Sequence, residues 1–165
     1  MLAGWAGWVI DYAKPVYLVA EPSQLAEATR ILLGIGLDDI LGYFDAEEIR
    51  NAKLATQQYE CGLPTELAPR ILSGEVTLLD VRADDEWRSG HIPAAEHRFL
   101  GRLPDALPGV AANKPIVTQC LAGGRSAIAA SILQAAGRDV INMTGGIEKW
   151  KNDGLPIETP ARVDG

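Results

Sequence analysis

An apolar run, Ile116-Val117-Thr118-Gln119, leads into Cys120, then into a tight glycine-rich turn, Leu121-Ala122-Gly123-Gly124, closed by Arg125. From Ser126 to Ala136 the pattern is helical, and Gly137 ends it. This order constrains the fold as much as the chemistry. A short continuous run of β-prone residues reads as a strand buried on both faces. With helices alternating between such strands, the natural architecture is a parallel α/β sheet. The first turn of a helix presents N–H groups without intrahelical partners, and the helix dipole adds partial positive charge there. A loop wrapped over that start is an anion cradle at the carboxyl end of a strand, where open α/β sheets bind ligands. A thiolate is an anion and a nucleophile, so Cys120 is the candidate catalytic residue. Arg125, always charged, either contacts an anionic substrate or pins the loop. The competing reading of Cys120 is a small buried hydrophobe. The paired glycines and the arginine at fixed offset weigh against it.

Upstream, Val76-Thr77-Leu78-Leu79-Asp80-Val81-Arg82 is followed by Asp84-Asp85-Glu86-Trp87 and by Gly90-His91-Ile92-Pro93-Ala94-Ala95. Downstream come Gly145-Gly146, Trp150 and Gly154-Leu155-Pro156-Ile157. With the loop from Cys120 to Arg125, these segments resemble the rhodanese-like sulfurtransferases, in family order and spacing, over about residues 66–158. The resemblance implies a five-stranded parallel sheet with helices on both faces. It also implies a double displacement: Cys120 takes the outer sulfur of a donor, holds it as a persulfide, and passes it to a thiol, sulfite or cyanide. Substrate binding would fall to the loop residues Leu121, Ala122, Gly123, Gly124, Arg125 and Ser126, through preorganised amides. Asp80 and Arg82 would be a supporting charge pair at a strand end. Trp87, Trp150 and His91 read as packing and structural residues.

Loop length separates two chemistries within the resemblance. Sulfur-transferring members have six residues from Cys to Arg, as in Cys120–Arg125. Related phosphatases and arsenate reductases have one more, giving a wider cradle for a tetrahedral oxyanion, so that alternative is disfavoured. Many thiosulfate-using members carry a second cation directly after the cysteine. This chain has Leu121 there, which makes an organic persulfide such as glutathione persulfide at least as plausible a donor as thiosulfate. A non-catalytic interaction module is the other alternative.

An internal repeat offset by 100 residues redraws the domain map. Lys14-Pro15-Val16-Tyr17-Leu18-Val19-Ala20 lies over Lys114-Pro115-Ile116-Val117-Thr118-Gln119-Cys120, and a helix and a short strand follow in both. Ala20 stands at the cysteine position and Glu21 to Leu25 replace the anion loop, so the first unit is expected to be inactive. The expected organisation is a partial, inactive rhodanese-like unit over 1–45, a connector over 46–63, the active domain over 64–158 and a tail over 159–165. Gly4-Trp5-Ala6-Gly7-Trp8 and Leu18-Val19-Ala20-Glu21 resemble the inactive rhodanese unit of fusion proteins in persulfide and sulfide metabolism. In those, a metallo-β-lactamase-fold persulfide dioxygenase precedes an inactive and an active rhodanese domain. The resemblance implies such a dioxygenase as partner, in cis or in trans. The open edge of the half-unit is expected to pack on the active domain or on a second copy, giving a homodimer in the latter case.

A net charge of −7 argues against nucleic-acid and anionic-membrane partners. The two histidines, His91 and His97, make no metal-ligand pattern, so no metal and no cofactor are expected. Cys61 and Cys120 do not constitute a disulfide framework, and a reducing, cytoplasmic setting fits. Cys61 reads as incidental, with a resolving-thiol role as the alternative. The apolar N-terminus lacks the basic start of a signal peptide and runs into Asp11 and Lys14, and no segment is long enough to span a membrane.

Overall fold

The computed structural model describes residues 1–110 and 113–159, which form two compact units, Met1–Gln58 and one beginning at Tyr59. The tail, apart from Thr159, lies outside the described residues.

The first unit runs α1 (Leu2–Val9), β1 (Val16–Ala20), α2 (Pro22–Leu33), β2 (Ile40–Asp45) and α3 (Ala46–Asn51). β1 and β2 form a two-stranded parallel sheet, the pairing that a helical crossover such as α2 permits. Leu18 and Ile40 pack with Ala6, Leu32 and Leu37 in a small core on one face. Side chains alternate across a strand, so Tyr17, Val19, Leu41 and Tyr43 form the opposite face, and each is more than half exposed. α3 starts at Asp45, whose carboxylate accepts the N–H groups of Glu47 and Glu48 at 2.7 and 3.3 Å.

The second unit runs β3 (Glu60–Gly62), α4 (Pro64–Leu72), β4 (Thr77–Asp80), α5 (Asp84–Arg88), β5 (Ala95–His97), α6 (Leu103–Ala106), β6 (Ile116–Gln119), α7 (Gly124–Ala135), β7 (Val140–Met143) and α8 (Gly146–Asn152). Its five strands are parallel, in the order β3-β7-β6-β4-β5. Every residue of β6 and β7 is buried, as the apolar runs require. On one face Leu78, Val117, Ile141 and Met143 pack with Leu67, Ala68 and Ile71 of α4 and Ile147 and Trp150 of α8. On the other lies α7, to which the Thr118 hydroxyl donates at the Ser126 carbonyl, 3.1 Å away. Trp150 is fully buried and its indole N–H donates to the Pro156 carbonyl at 2.8 Å, the packing role expected of it.

The two units repeat one another in backbone detail at the 100-residue offset. Val16 N donates to the Asp39 carbonyl and Ile116 N to that of Asp139, both at 2.9 Å. One residue off that offset, Gly36 and Gly137 close the two helices with φ of +82° and +74°, a left-handed turn that glycine adopts without strain. Tyr17, Leu41 and Tyr43 are the counterparts of Val117, Ile141 and Met143. The stripe that is open in the first unit is therefore the core face of the second.

Several expected boundaries move. The segment 46–63 is not a plain connector: it holds α3 and β3, and β3 is an edge strand hydrogen-bonded to β7. β3 has three residues and no apolar alternation, so its pairing comes from the neighbour's ladder and leaves no sequence period. The second unit consequently begins at Tyr59, ahead of the expected 64. The segment 101–114 reads in the sequence as a loop, yet residues 100–109 form α6 flanked by short helical turns at Leu100–Arg102 and Leu107–Gly109. α7 starts at Gly124, two residues before the expected Ser126, because Gly123 (φ +109°) turns the chain directly into it. Among the described residues, no helix is long and apolar enough to cross a membrane.

Candidate active site

Cys120 follows the last residue of β6 and is 1% exposed. Its Sγ accepts the Gly123 N–H at 3.2 Å and lies 3.6 Å from Ser126 Oγ. Ser126 Oγ donates to the Gly123 carbonyl at 3.0 Å, so the loop closes on itself around the sulfur. The sulfur sits at the start of the 12-residue helix α7, where dipole and free amides favour negative charge.

The loop's shape is held from outside by α8. Ile147 N donates to the Cys120 carbonyl at 2.9 Å and Glu148 N to that of Leu121 at 3.1 Å. Peptide units are planar and trans, so carbonyls drawn toward α8 leave the N–H groups of Leu121 and Ala122 on the other side. Gly146, at φ +54°, permits the approach: a Cβ there would overlap both carbonyl oxygens. Leu121, 42% exposed, and Ala122 give the loop an apolar outer surface.

Arg125 does not point a free charge at the site. Its Nη1 and Nη2 donate to Glu86 Oε2 and Oε1 at 2.5 and 2.7 Å, a bidentate pair. The contact ties the closing end of the loop to α5. The guanidinium's hydrogen bonds hold the Glu86 carboxyl below its ordinary range, against the burial that would raise it. Glu86 in turn drives the Arg125 pKa up, with smaller contributions from Cys120 and Asp80. Glu86 also accepts the Ala83 N–H at 3.1 Å, which starts α5.

Asp80 and Arg82 form a buried pair, with Nη2 to Oδ2 at 2.6 Å and Nε at 3.0 Å from both oxygens. Arg82 further donates to the carbonyls of Glu86 and Gly90 at 3.2 and 2.9 Å, tying the end of β4 to the middle of α5 and to the turn that follows it. The supporting pair thus positions α5, α5 carries Glu86, and Glu86 holds Arg125. In the sequence Glu86 stands out only as part of the Asp84-Asp85-Glu86-Trp87 motif. Its role arises across 39 residues of separation, and the one available signal was a loop arginine in need of a carboxylate. Trp87 stacks between His91 and His97, with ring centres 3.6 and 5.0 Å away. Cys61 on β3 is in register with Asn142, which pairs with Thr118 of β6. Two strand spacings, about 10 Å, separate it from the β6 backbone, beyond the reach of a disulfide.

The site is a buried thiol that accepts a loop amide at a helix start, in a six-residue loop whose closing arginine is held by Glu86. A family model for the rhodanese-like domain matches residues 63–153. The chain belongs to the rhodanese-like family. An HTH-type transcriptional regulator of Mycobacterium tuberculosis is 36% identical over 100 residues, 59% of this chain and 44% of the regulator. The thiosulfate sulfurtransferase GlpE of Pseudomonas syringae pv. syringae is 33% identical over 98 residues, 59% of this chain and 92% of that enzyme. Among solved structures, a rhodanese-related protein from Thermoplasma volcanium has a TM-score of 0.58 at 27% identity, covering 61% of this chain and 98% of that one. The chain therefore spans less than half of the regulator and nearly all of the sulfurtransferase. The rhodanese-like domain is the part these relatives share with it.

Proposed function

We propose that the rhodanese-like domain is a sulfurtransferase in which Cys120 carries sulfane sulfur as a persulfide. The observation that carries this reading is the Gly123 N–H on Sγ, 3.2 Å away, inside a six-residue loop at a helix start. The Cys120 thiolate attacks the outer sulfur of a donor; a new S–S bond forms and the rest of the donor leaves as a thiolate or, from thiosulfate, as sulfite. An acceptor thiolate, sulfite or cyanide then attacks the terminal sulfur, and Cys120 leaves as the thiolate. The relay predicts ping-pong kinetics and involves no net change of oxidation state in the protein. The loop amides would stabilise the charge on the carried sulfur.

Leu121 in place of a cation favours low-molecular-weight persulfides over thiosulfate as donors. The first unit is read as a partial, inactive counterpart, with Ala20 at the nucleophile position and Leu25 at that of Arg125. On the N-terminal resemblance alone, a persulfide dioxygenase is the partner this reading proposes, and a reducing, cytoplasmic compartment suits a free nucleophilic thiol.

The test is intact mass after brief exposure to thiosulfate and, separately, to glutathione persulfide, with Cys120→Ser alongside. A gain of one sulfur, about 32 Da, absent from the variant, is the expected result. No adduct from either donor, with Cys120 still open to alkylation, would replace the enzyme with an interaction module.

A further inference from the structure

The carboxyl edge of the sheet carries a second feature besides the cysteine loop. A cavity of about 160 Å³ is lined by Asp84, His97, Arg98, Phe99, Arg102 and Ala106, where β5 ends. The backbone ladder gives its place relative to Cys120. Val81 N donates to the Gln119 carbonyl at 3.0 Å, and Leu100 N to that of Val81 at 3.2 Å. β5 lies two strands from β6, so the strand end at which the cavity opens is about 10 Å from the end of β6 along the same edge.

Its two guanidiniums are oriented but not saturated. Arg98 donates to the His97 carbonyl at 2.9 Å and reaches Glu96 at only 3.4 Å. Arg102 is 3.6 Å from Asp84, beyond a good hydrogen bond, and its Cζ lies 5.9 Å from the Phe99 ring centre. Each arginine has five N–H donors in a planar fork matched to a carboxylate, and these contacts use only some of them. Beside the nucleophile the situation is reversed: Arg125 is clamped by Glu86, and the loop surface is Leu121 and Ala122. The available positive charge is displaced from the reactive sulfur.

That displacement acts as a ruler. A small dianion reaches only one of the two places at a time. A peptide of three residues spans about 10 Å when extended, at 3.3–3.6 Å per residue. Resting on the persulfide-carrier reading, we propose that the Arg98–Arg102 cavity binds a carboxylate of a peptide-sized thiol, as persulfide donor or as thiol acceptor, while its sulfur reaches Cys120.

Glutathione persulfide and cysteamine persulfide, which has no carboxylate, would be compared as donors on the full chain and on Arg98→Gln/Arg102→Gln. The double substitution should lower the ratio of kcat/KM for glutathione persulfide over cysteamine persulfide about tenfold, mainly through KM. With thiosulfate as donor, a matching rise in KM for glutathione as acceptor assigns the site to the second half-reaction; a rise confined to the donor assigns it to the first. Equal losses with both persulfides, or no rise in either glutathione KM, would overturn the proposal. Calorimetric binding of glutathione to Cys120→Ser, with and without the two arginine substitutions, tests the cavity apart from the chemistry. Affinity lost with the arginines supports it even where no sulfur is transferred, and affinity indifferent to them overturns it.

Discussion

At Arg125, the charge that could have met substrate is met by a carboxylate of the same domain. Glu86→Gln removes that anion but keeps the side-chain length, so the loop keeps its sequence and loses its clamp. A partly exposed bidentate pair of this kind is worth about 1 kcal/mol, and sulfur loading of Cys120 should fall about fivefold with little change in thermal stability. The pH dependence follows from the same pair. Glu86 has a depressed pKa when folded, so the clamp is intact at and above the ordinary carboxylate range. It is lost only as pH falls through the lower, folded value. Loading rates followed from neutral pH downward should drop in that acid limb for the native chain, while Glu86→Gln, already unclamped, should not show it. Cys120, the glycines and Arg125 were legible because their chemistry is local: six neighbouring letters specify a turn and a helix start. Glu86 was not, since only the folded sheet brings α5 beside the loop.

α8 shows the same contrast at the scale of an element. Gly145 and Gly146 were legible as a motif, yet their purpose lies 26 residues upstream, at the Cys120 carbonyl that Ile147 holds. Gly146→Ala adds a methyl group against two loop carbonyls at a backbone angle alanine resists. The cost should be about 1–3 kcal/mol by denaturant unfolding, with the sulfur adduct lost before the fold is. An unchanged rate of loading would show that the loop keeps its shape without α8. β3 is the opposite case: three residues with no pattern of their own, drawn into the sheet by β7. β4, β6 and β7 were readable because continuous apolar runs flanked by helices have one good solution, a parallel sheet covered on both faces.

Across the whole molecule, the 100-residue offset was visible in letters, but which surface had lost its cover was not. Tyr17, Leu41 and Tyr43 keep the period of a core face, and periodicity reports the face without reporting what lies on it. Leu41→Ser/Tyr43→Ser should reduce fluorescence of an environment-sensitive apolar dye and leave loading of Cys120 unchanged, because neither residue belongs to the second unit. The counterpart change Ile141→Ser, in the buried face, should cost about 3 kcal/mol and unfold much of the second unit.

The caps of α3 and α8 also set how many substitutions separate the two loop ends. At the end of β7 two glycines leave the first amides of α8 for the loop carbonyls, whereas at the end of β2 Asp45 captures the corresponding amides itself. With those donors taken by a side chain, a cysteine placed at Ala20 would meet a loop with nothing to shape it, and Asp45 and Ala46 would both have to become glycine first. On the proposed reading of this unit as an inactive counterpart, no single substitution rebuilds the cradle.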